Sequence, residues 1–275
     1  MLPLWFNCQR MSPETAVLSE NLQEAMRFFG AARRSGEVRR LFALTLISSG
    51  VDYSVFNAAV LGSAVRGRGI DSLTIELKQS EEFYRQRALP WSFWACEDLI
   101  EEREWSRVRE TLNTMNMRHL TTAPGLYAES LAPVSRRLPE VTVRRVTDAD
   151  TRAAFAHITS MAFEIPFEIC RAVYAEERGW RGSYAGWVGY NDKTAVATTA
   201  LVVCGGAIGV YSVATLPGFQ RRGYAEAVMR AAIGQVSAET GIERTVLQST
   251  PAGASLYKAL GYLPATRFHV FASKR

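Results

Sequence analysis

Between Lys193 and Arg221 the chain runs for 27 residues without a charged side chain. A helix of that length could cross a bilayer, so this run decides first what the chain can fold into. Its residue types reject the helix. The segment TAVATTALVVCGGAIGVYSVATLPGF is rich in Thr, Val and Tyr, is broken at Gly205 and Gly206, and closes near Pro217. That pattern predicts two buried strands joined by a tight turn. Residues 41–61 repeat the form: an apolar run, the turn Ser48-Ser49-Gly50, and a second run containing Asp52 nearby. No membrane association is expected of either.

Around these hairpins the rest of the chain divides in two. A length of 275 residues accommodates two ordinary domains. From residue 141 onward the periodicities predict a strand at 141–146, helical material over 148–177, and strands at 184–190, 195–203 and 208–216. A helix follows at 222–240, with Ala225, Val228, Met229, Ala232, Ile233 and Val236 on one stripe and Gly241 ending it. A strand at 244–249, a short helix at 251–260 and a strand at 267–272 complete this half. The first half echoes that order, with strands at 38–48 and 52–61, a helix at 71–87, a strand at 91–96, a helix at 99–115 and a strand at 118–128. Residues 132–140, with Pro133, Pro139 and the pair Arg136-Arg137, read as a linker.

Charge separates the halves as well. Residues 1–140 hold 17 Lys/Arg against 17 Asp/Glu, and residues 141–275 hold 15 against 10, so the net +5 lies in the second half. A moderate basic excess suits an anionic ligand. Without a dense basic stripe or an aromatic ladder, nucleic acid is not expected as a partner. Cys8, Cys96, Cys170 and Cys204 are too scattered for a zinc site or a disulfide framework and are expected to be free thiols in a reducing cytoplasm. Residues 1–10 lack the form of a signal peptide, so a cytoplasmic location is expected. No histidine pair has metal spacing, and His119 and His269 read as isolated.

The local chemistry concentrates at residues 217–225, Pro-Gly-Phe-Gln-Arg-Arg-Gly-Tyr-Ala, where the strand at 208–216 turns into the long helix. A helix N-terminus leaves about four backbone N–H groups without partners and carries about half a positive charge, so a diphosphate can collect several hydrogen bonds there. Gly223 lets an anion approach the backbone, Ala225 keeps the first turn narrow, and Arg221 and Arg222 add positive charge. The run has neither the Gly-Lys-Ser/Thr ending of a P-loop nor the three glycines of a dinucleotide fingerprint.

Gln220-x-x-Gly223-x-Ala225, following the strand Val210-Tyr211-Ser212-Val213-Ala214-Thr215, resembles the acetyl-CoA signature of the GNAT acetyltransferase superfamily. Ser255-Leu256-Tyr257-Lys258-Ala259-Leu260-Gly261-Tyr262 resembles its closing helix motif. The resemblance covers residues 141–275; the first half is similar, more loosely, to the degenerate leading domain of tandem GNAT proteins. It implies an α/β (α+β) chain of two tandem units, 1–135 and 141–275. Each would be a mixed, mostly antiparallel sheet flanked by helices, with only the second complete. It further implies that acetyl-CoA is the co-substrate and that Gln220, Arg221, Arg222, Gly223, Tyr224 and Ala225 hold its diphosphate. Main-chain groups of Val213 and Thr215 would receive the pantetheine arm, an N–H near Val213 would polarise the carbonyl, and Tyr257 would be the general acid. Many relatives carry an acid on the strand before the cradle, but this chain has none between Asp192 and Glu226. Ordered water, or Glu164 or Glu168 in the expected acceptor wall, would then serve as base, with Tyr211 a further polar candidate.

The implied activity is transfer of an acetyl group to a primary amine of a small molecule or peptide, directly within a ternary complex, without metal. A non-catalytic acyl-CoA-binding regulatory module is the alternative, and an aminoacyl-tRNA or thiol-metabolite acceptor is a third reading. Homodimer formation is left open. In the first half the corresponding loop is Arg66-Gly67-Arg68-Gly69-Ile70-Asp71. Asp71 there is expected to cap its own helix and repel diphosphate, so no coenzyme is expected at that loop.

Overall fold

The computed structural model describes residues 11–273. Its first element is one the sequence reading passed over, helix α1 (Pro13–Ala31). Ser12 starts it by accepting a hydrogen bond from the Thr15 N–H, and Pro13 occupies the first turn, where its missing N–H costs nothing. The first half continues with strands β1 (Glu37–Arg40), β2 (Leu44–Ser48) and β3 (Asn57–Leu61), helix α2 (Gly69–Arg85), strand β4 (Ser92–Cys96), helix α3 (Trp105–Thr114) and strand β5 (Met117–Ala128). The second half holds β6 (Thr142–Arg145), α4 (Ala149–Phe163), α5 (Phe167–Tyr174), β7 (Tyr184–Asn191), β8 (Thr194–Cys204) and β9 (Ala207–Thr215). It ends with α6 (Tyr224–Thr240), β10 (Thr245–Gln248), α7 (Ala254–Ala259) and β11 (Leu263–Ser273). The uncharged run is therefore the β8–β9 hairpin, and among the described residues no helix is long and apolar enough to cross a membrane.

All strands join one 11-stranded sheet in the order β1-β2-β3-β4-β11-β5-β10-β9-β8-β7-β6. Only β3/β4 and β9/β10 pair in parallel. The two units thus have the mixed, mostly antiparallel sheets expected, but they trade their last strands. β11, from the second half, lies between β4 and β5; β5, from the first, lies between β11 and β10. Neither half completes its hydrogen-bond ladder without the other. Residues 129–141 link the two without regular structure, and we propose 1–135 and 141–275 as the sequence extents of the interlocked units.

Strand alternation sorts the second half's core. Val228, Met229, Ala232, Ile233 and Val236 of α6 pack over Trp187, Val196, Leu201, Ile208 and Val210. The opposite cluster joins Tyr184, Val188, Ala200 and Val202 to Phe155, Ile158 and Tyr174, and also to Ala25 and Phe28 of α1. Phe28 stacks on Tyr184 with ring centroids 4.3 Å apart. Fully buried Asn21 locks the same helix onto the β8–β9 hairpin. Its Nδ2 donates to the carbonyls of Val202, Cys204 and Ala207 at 3.1, 3.1 and 3.3 Å, and its Oδ1 accepts from the Tyr211 hydroxyl at 2.8 Å. A Cβ on Gly209 would collide with that Oδ1, so this position must be glycine for the helix to sit down.

Cys96 and Cys170 are buried and Cys204 half-buried, all as free thiols; Cys8 lies outside the described residues. The strand exchange also corrects the reading of His119 and His269 as isolated. Thr122 Oγ1 bridges them, 3.0 Å from His119 Nε2 and 3.2 Å from His269 Nδ1.

Candidate active site

β9 and β10 begin as a parallel pair but share only two positions, Ile208 with Thr245 and Gly209 with Val246. Beyond them β10 stays with β5 through Gln248 and Gly125, while β9 follows β8. The main chain of β9 from Tyr211 to Thr215 is left unpaired toward β10. The cause is local. The register between β8 and β9 slips between Thr198/Ala214 and Ala200/Tyr211, and Ser212 adopts φ +46°. Such a bulge sharpens the twist and bends the strand from its neighbour. Thr198 Oγ1 donates to the Ser212 carbonyl at 2.9 Å, and Ser212 Oγ lies 2.7 Å from the Tyr184 hydroxyl, which fixes the bulge. Of the residues read as a landing strip for an extended arm, Val213 lies in the bulge and Thr215 just beyond it.

The cradle follows directly. Residues 217–219 form one tight helical turn, the Gln220 side chain reaches back to donate to the Thr215 carbonyl at 3.3 Å, Arg221 sits at φ +58° and Gly223 at φ +93°. The left-handed conformation at Gly223 is one that only glycine adopts at little cost. The first backbone bond of α6 runs from the Ala227 N–H to the Gly223 carbonyl. Residues 220–223 form a turn, and among the described residues none of the six N–H groups from Arg221 to Glu226 makes a well-formed backbone hydrogen bond. An array of unpaired donors at the positive end of a 17-residue helix fits a diphosphate. Arg222 lies over the rings of Phe219 and Tyr224, 5.5 Å from each centroid. Beside the cradle an open cleft of about 890 Å³ is lined by Arg137, Arg222, Tyr224, Tyr190 and Asp192.

Tyr257 stands on α7, 8% exposed, its ring edge-on to Tyr262 at 5.6 Å and pressed against Gly253. Burial pushes its phenol up to about 12. Its hydroxyl has no hydrogen-bond partner among the described residues and stays protonated through the neutral range. Glu164 ends α4 in a left-handed turn at φ +54°, exposed and without an ion pair among the described residues. Glu168 is paired with Arg171 at 2.6 Å. The Tyr211 hydroxyl is committed to Asn21, and burial holds its phenol well above the usual range. Trp180 donates to the Tyr174 carbonyl and Trp187 to Gln235, both at 2.9 Å, so each is fixed in the packing of its own face. Among the described residues no group of three or more His, Cys, Asp or Glu side chains is placed to hold a metal.

Residues 152–262 match the model of the acetyltransferase (GNAT) family. Residues 152–262 are a GNAT domain. No curated protein matches the chain. Among solved structures, a GCN5-related N-acetyltransferase from Kribbella flavida aligns at 19% identity over 97% of each chain, with a TM-score of 0.69. One from Sphaerobacter thermophilus aligns at 16% over 99% of this chain and 96% of its own, TM-score 0.56. A tandem GNAT protein from the clavulanic acid biosynthesis pathway aligns at 12% over 88% of this chain and 80% of its own, TM-score 0.55. The whole chain therefore has a tandem GNAT fold, with the family signature in its later unit.

In the leading unit the same elements are closed. β3 and β4 pair at Ala58–Ser92, Ala59–Phe93 and Val60–Trp94, and they stay joined beyond their ends. The Val65 N–H donates to the Leu99 carbonyl at 2.7 Å, and Val65 bridges Ile100 in parallel. The first turn of α2 spends its donors on the loop before it, with Gly69, Ile70 and Asp71 N–H bonded to the carbonyls of Arg66, Gly67 and Arg68 at 2.9, 3.2 and 3.2 Å. Asp71 does not cap the helix as expected. Its carboxylate pairs instead with Arg107 at 2.6 Å, because α3 packs alongside and offers a guanidinium. Three GNAT-domain neighbours escaped the sequence reading: Asn21, Arg136 and Glu226. Arg136 pairs with Glu226 at 2.8 Å, across 90 residues of chain.

Proposed function

We propose that the protein transfers an acetyl group from acetyl-CoA to a primary amine of a small molecule or peptide, directly within a ternary complex. The observation that carries this is the run of six unpaired N–H groups from Arg221 to Glu226 beside a strand whose edge is open. Bound acetyl-CoA supplies an activated acyl thioester. The chain supplies the rest. Residues 220–225 hold the diphosphate, and the main chain of Val213 and Thr215 aligns the pantetheine arm as an added strand. An N–H at the Ser212–Val213 bulge polarises the carbonyl, and the Tyr257 hydroxyl gives its proton to the departing sulfur. Removal of the amine's proton is assigned to ordered water or to exposed Glu164 in the stretch expected to form the acceptor wall.

Tyr257→Phe tests this division of labour. General acid catalysis is worth about 10²- to 10⁴-fold, so kcat should fall by about 10² or more while coenzyme affinity holds. An unchanged kcat would remove Tyr257 from the reaction. The second reading, a non-catalytic acyl-CoA-binding regulatory module, is supported by the lack of any acid between Asp192 and Glu226. Coenzyme binding without amine-dependent release of free thiol across a panel of amines would select it.

A further inference from the structure

The linker between the units crosses the cradle. Arg136 Nη1 lies 2.7 Å, and Pro139 Cδ 3.1 Å, from the point that a Cβ on Gly223 would occupy. Arg136 is anchored there. Its Nη2 donates to Glu226 Oε2 at 2.8 Å, and Glu226, with its side chain 8% exposed, is held at Oε1 by Arg230 Nε at 3.0 Å. Glu226 is the third residue of α6. An acid at that position ordinarily turns back to accept the N–H of the residue that precedes the helix, here Gly223. The two arginines hold it away instead, and the Gly223 N–H stays unpaired among the described residues. Arg136 Nη1, over the bare backbone of Gly223, has no acceptor among the described residues either.

We propose that Arg136 is a phosphate ligand contributed by the linker: Nη2 remains on Glu226 while Nη1 donates to the diphosphate group that the 221–226 loop receives. This rests on reading the site as a coenzyme A site. A guanidinium is the group suited to the task, because its planar fork can serve two anions at once, whereas an ammonium on a flexible stem is a single point charge. Glu226 then orients the arginine rather than competing with the ligand.

The test is calorimetric titration of the full chain with coenzyme A and with dephospho-coenzyme A, which keeps the diphosphate and lacks the 3′-phosphate. Wild type, Arg136→Ala, Arg136→Lys and the double variant Arg136→Ala/Glu226→Gln are compared. Charge-assisted hydrogen bonds imply that Arg136→Ala weakens both ligands about tenfold to a hundredfold. Arg136→Lys should recover little, and the double variant only part, with ligand-free melting temperatures close to wild type throughout. Unaltered affinity in Arg136→Ala would overturn the assignment. So would a loss confined to coenzyme A, which would place the arginine on the 3′-phosphate, or full recovery in the double variant, which would reduce it to a neutraliser of Glu226. Wild type that binds neither compound would instead overturn the coenzyme reading itself.

Discussion

From β1 and from β7 onward the two units carry the same order of elements around the same kind of parallel strand pair, and they differ in what happens just past that pair. In the later unit the bulge at Ser212 turns β9 away after Gly209, and the loop before α6 leaves its donors unspent. In the leading unit β3 and β4 are held together through Val65, Leu99 and Ile100, and the N–H groups of Gly69, Ile70 and Asp71 at the start of α2 each go to a carbonyl three residues back. The two loops thus differ less in glycine content than in where the backbone donors go. Gly67 at φ +52° and Gly223 at φ +93° are both left-handed, yet the helix after the first bonds its leading N–H groups to carbonyls three residues back and the helix after the second does not.

The strongest way to break that contrast is a pair of substitutions. Gly223→Val places a branched side chain at a left-handed position already crowded by Arg136 and Pro139. Coenzyme A affinity should fall by about a hundredfold or more, because the strain of about 1–3 kcal/mol adds to the loss of the cradle. Titration of the variant checks this, and retained affinity would mean that the diphosphate lies elsewhere. Next in size is Asn21→Ala, which leaves three carbonyls and the Tyr211 hydroxyl of the later unit without their partner. Leaving buried polar groups unpaired costs about 1–3 kcal/mol each at most, and denaturant unfolding should register a loss of about 2–4 kcal/mol. A loss below 0.5 kcal/mol, roughly the scale of ordinary surface changes, would mean that α1 is not clamped by this residue.

Gly67→Ala sharpens the comparison from the other side. Nothing lies within 4 Å of the added carbon, so only the left-handed backbone is strained, at about 1–2 kcal/mol. Thermal unfolding should show that cost while coenzyme A titration is unaltered; weakened binding would give the leading loop a share in the site. The smallest effect is the share of a single phenol in the pH dependence of stability. Burial raises the phenols of Tyr84, Tyr184, Tyr257 and Tyr262. The unfolded chain gives up these protons near pH 10 while the folded one keeps them, so stability is full below pH 10 and declines as the pH rises toward 12. Tyr257→Phe should shallow that decline slightly, and chemical denaturation at pH 9 and 11 measures it.

What could be read from the sequence was local. The hairpin at 194–215, the loop at 217–225 and the stripe on α6 each depend on residues a few positions apart, and they stand where their patterns put them, except that α6 starts at Tyr224 and Ala225 lies outside the buried stripe. The signals of α1, Ser12 before Pro13 and the apolar spacing of Leu18, Leu22 and Met26, were equally local and were passed over. Asn21, by contrast, finds its partners 181 to 190 residues away. The Thr122–His269 contact spans 147 residues and exists only because β5 and β11 are exchanged. Arg136 looked like linker charge for the same reason, since the acid that orients it is reached only when the linker folds across α6.

The most direct test follows the backbone amides of both loops by NMR as coenzyme A is added. The account requires large, saturable shifts at residues 221–226 and none at residues 66–71. Shifts at both loops, or at neither, would contradict it.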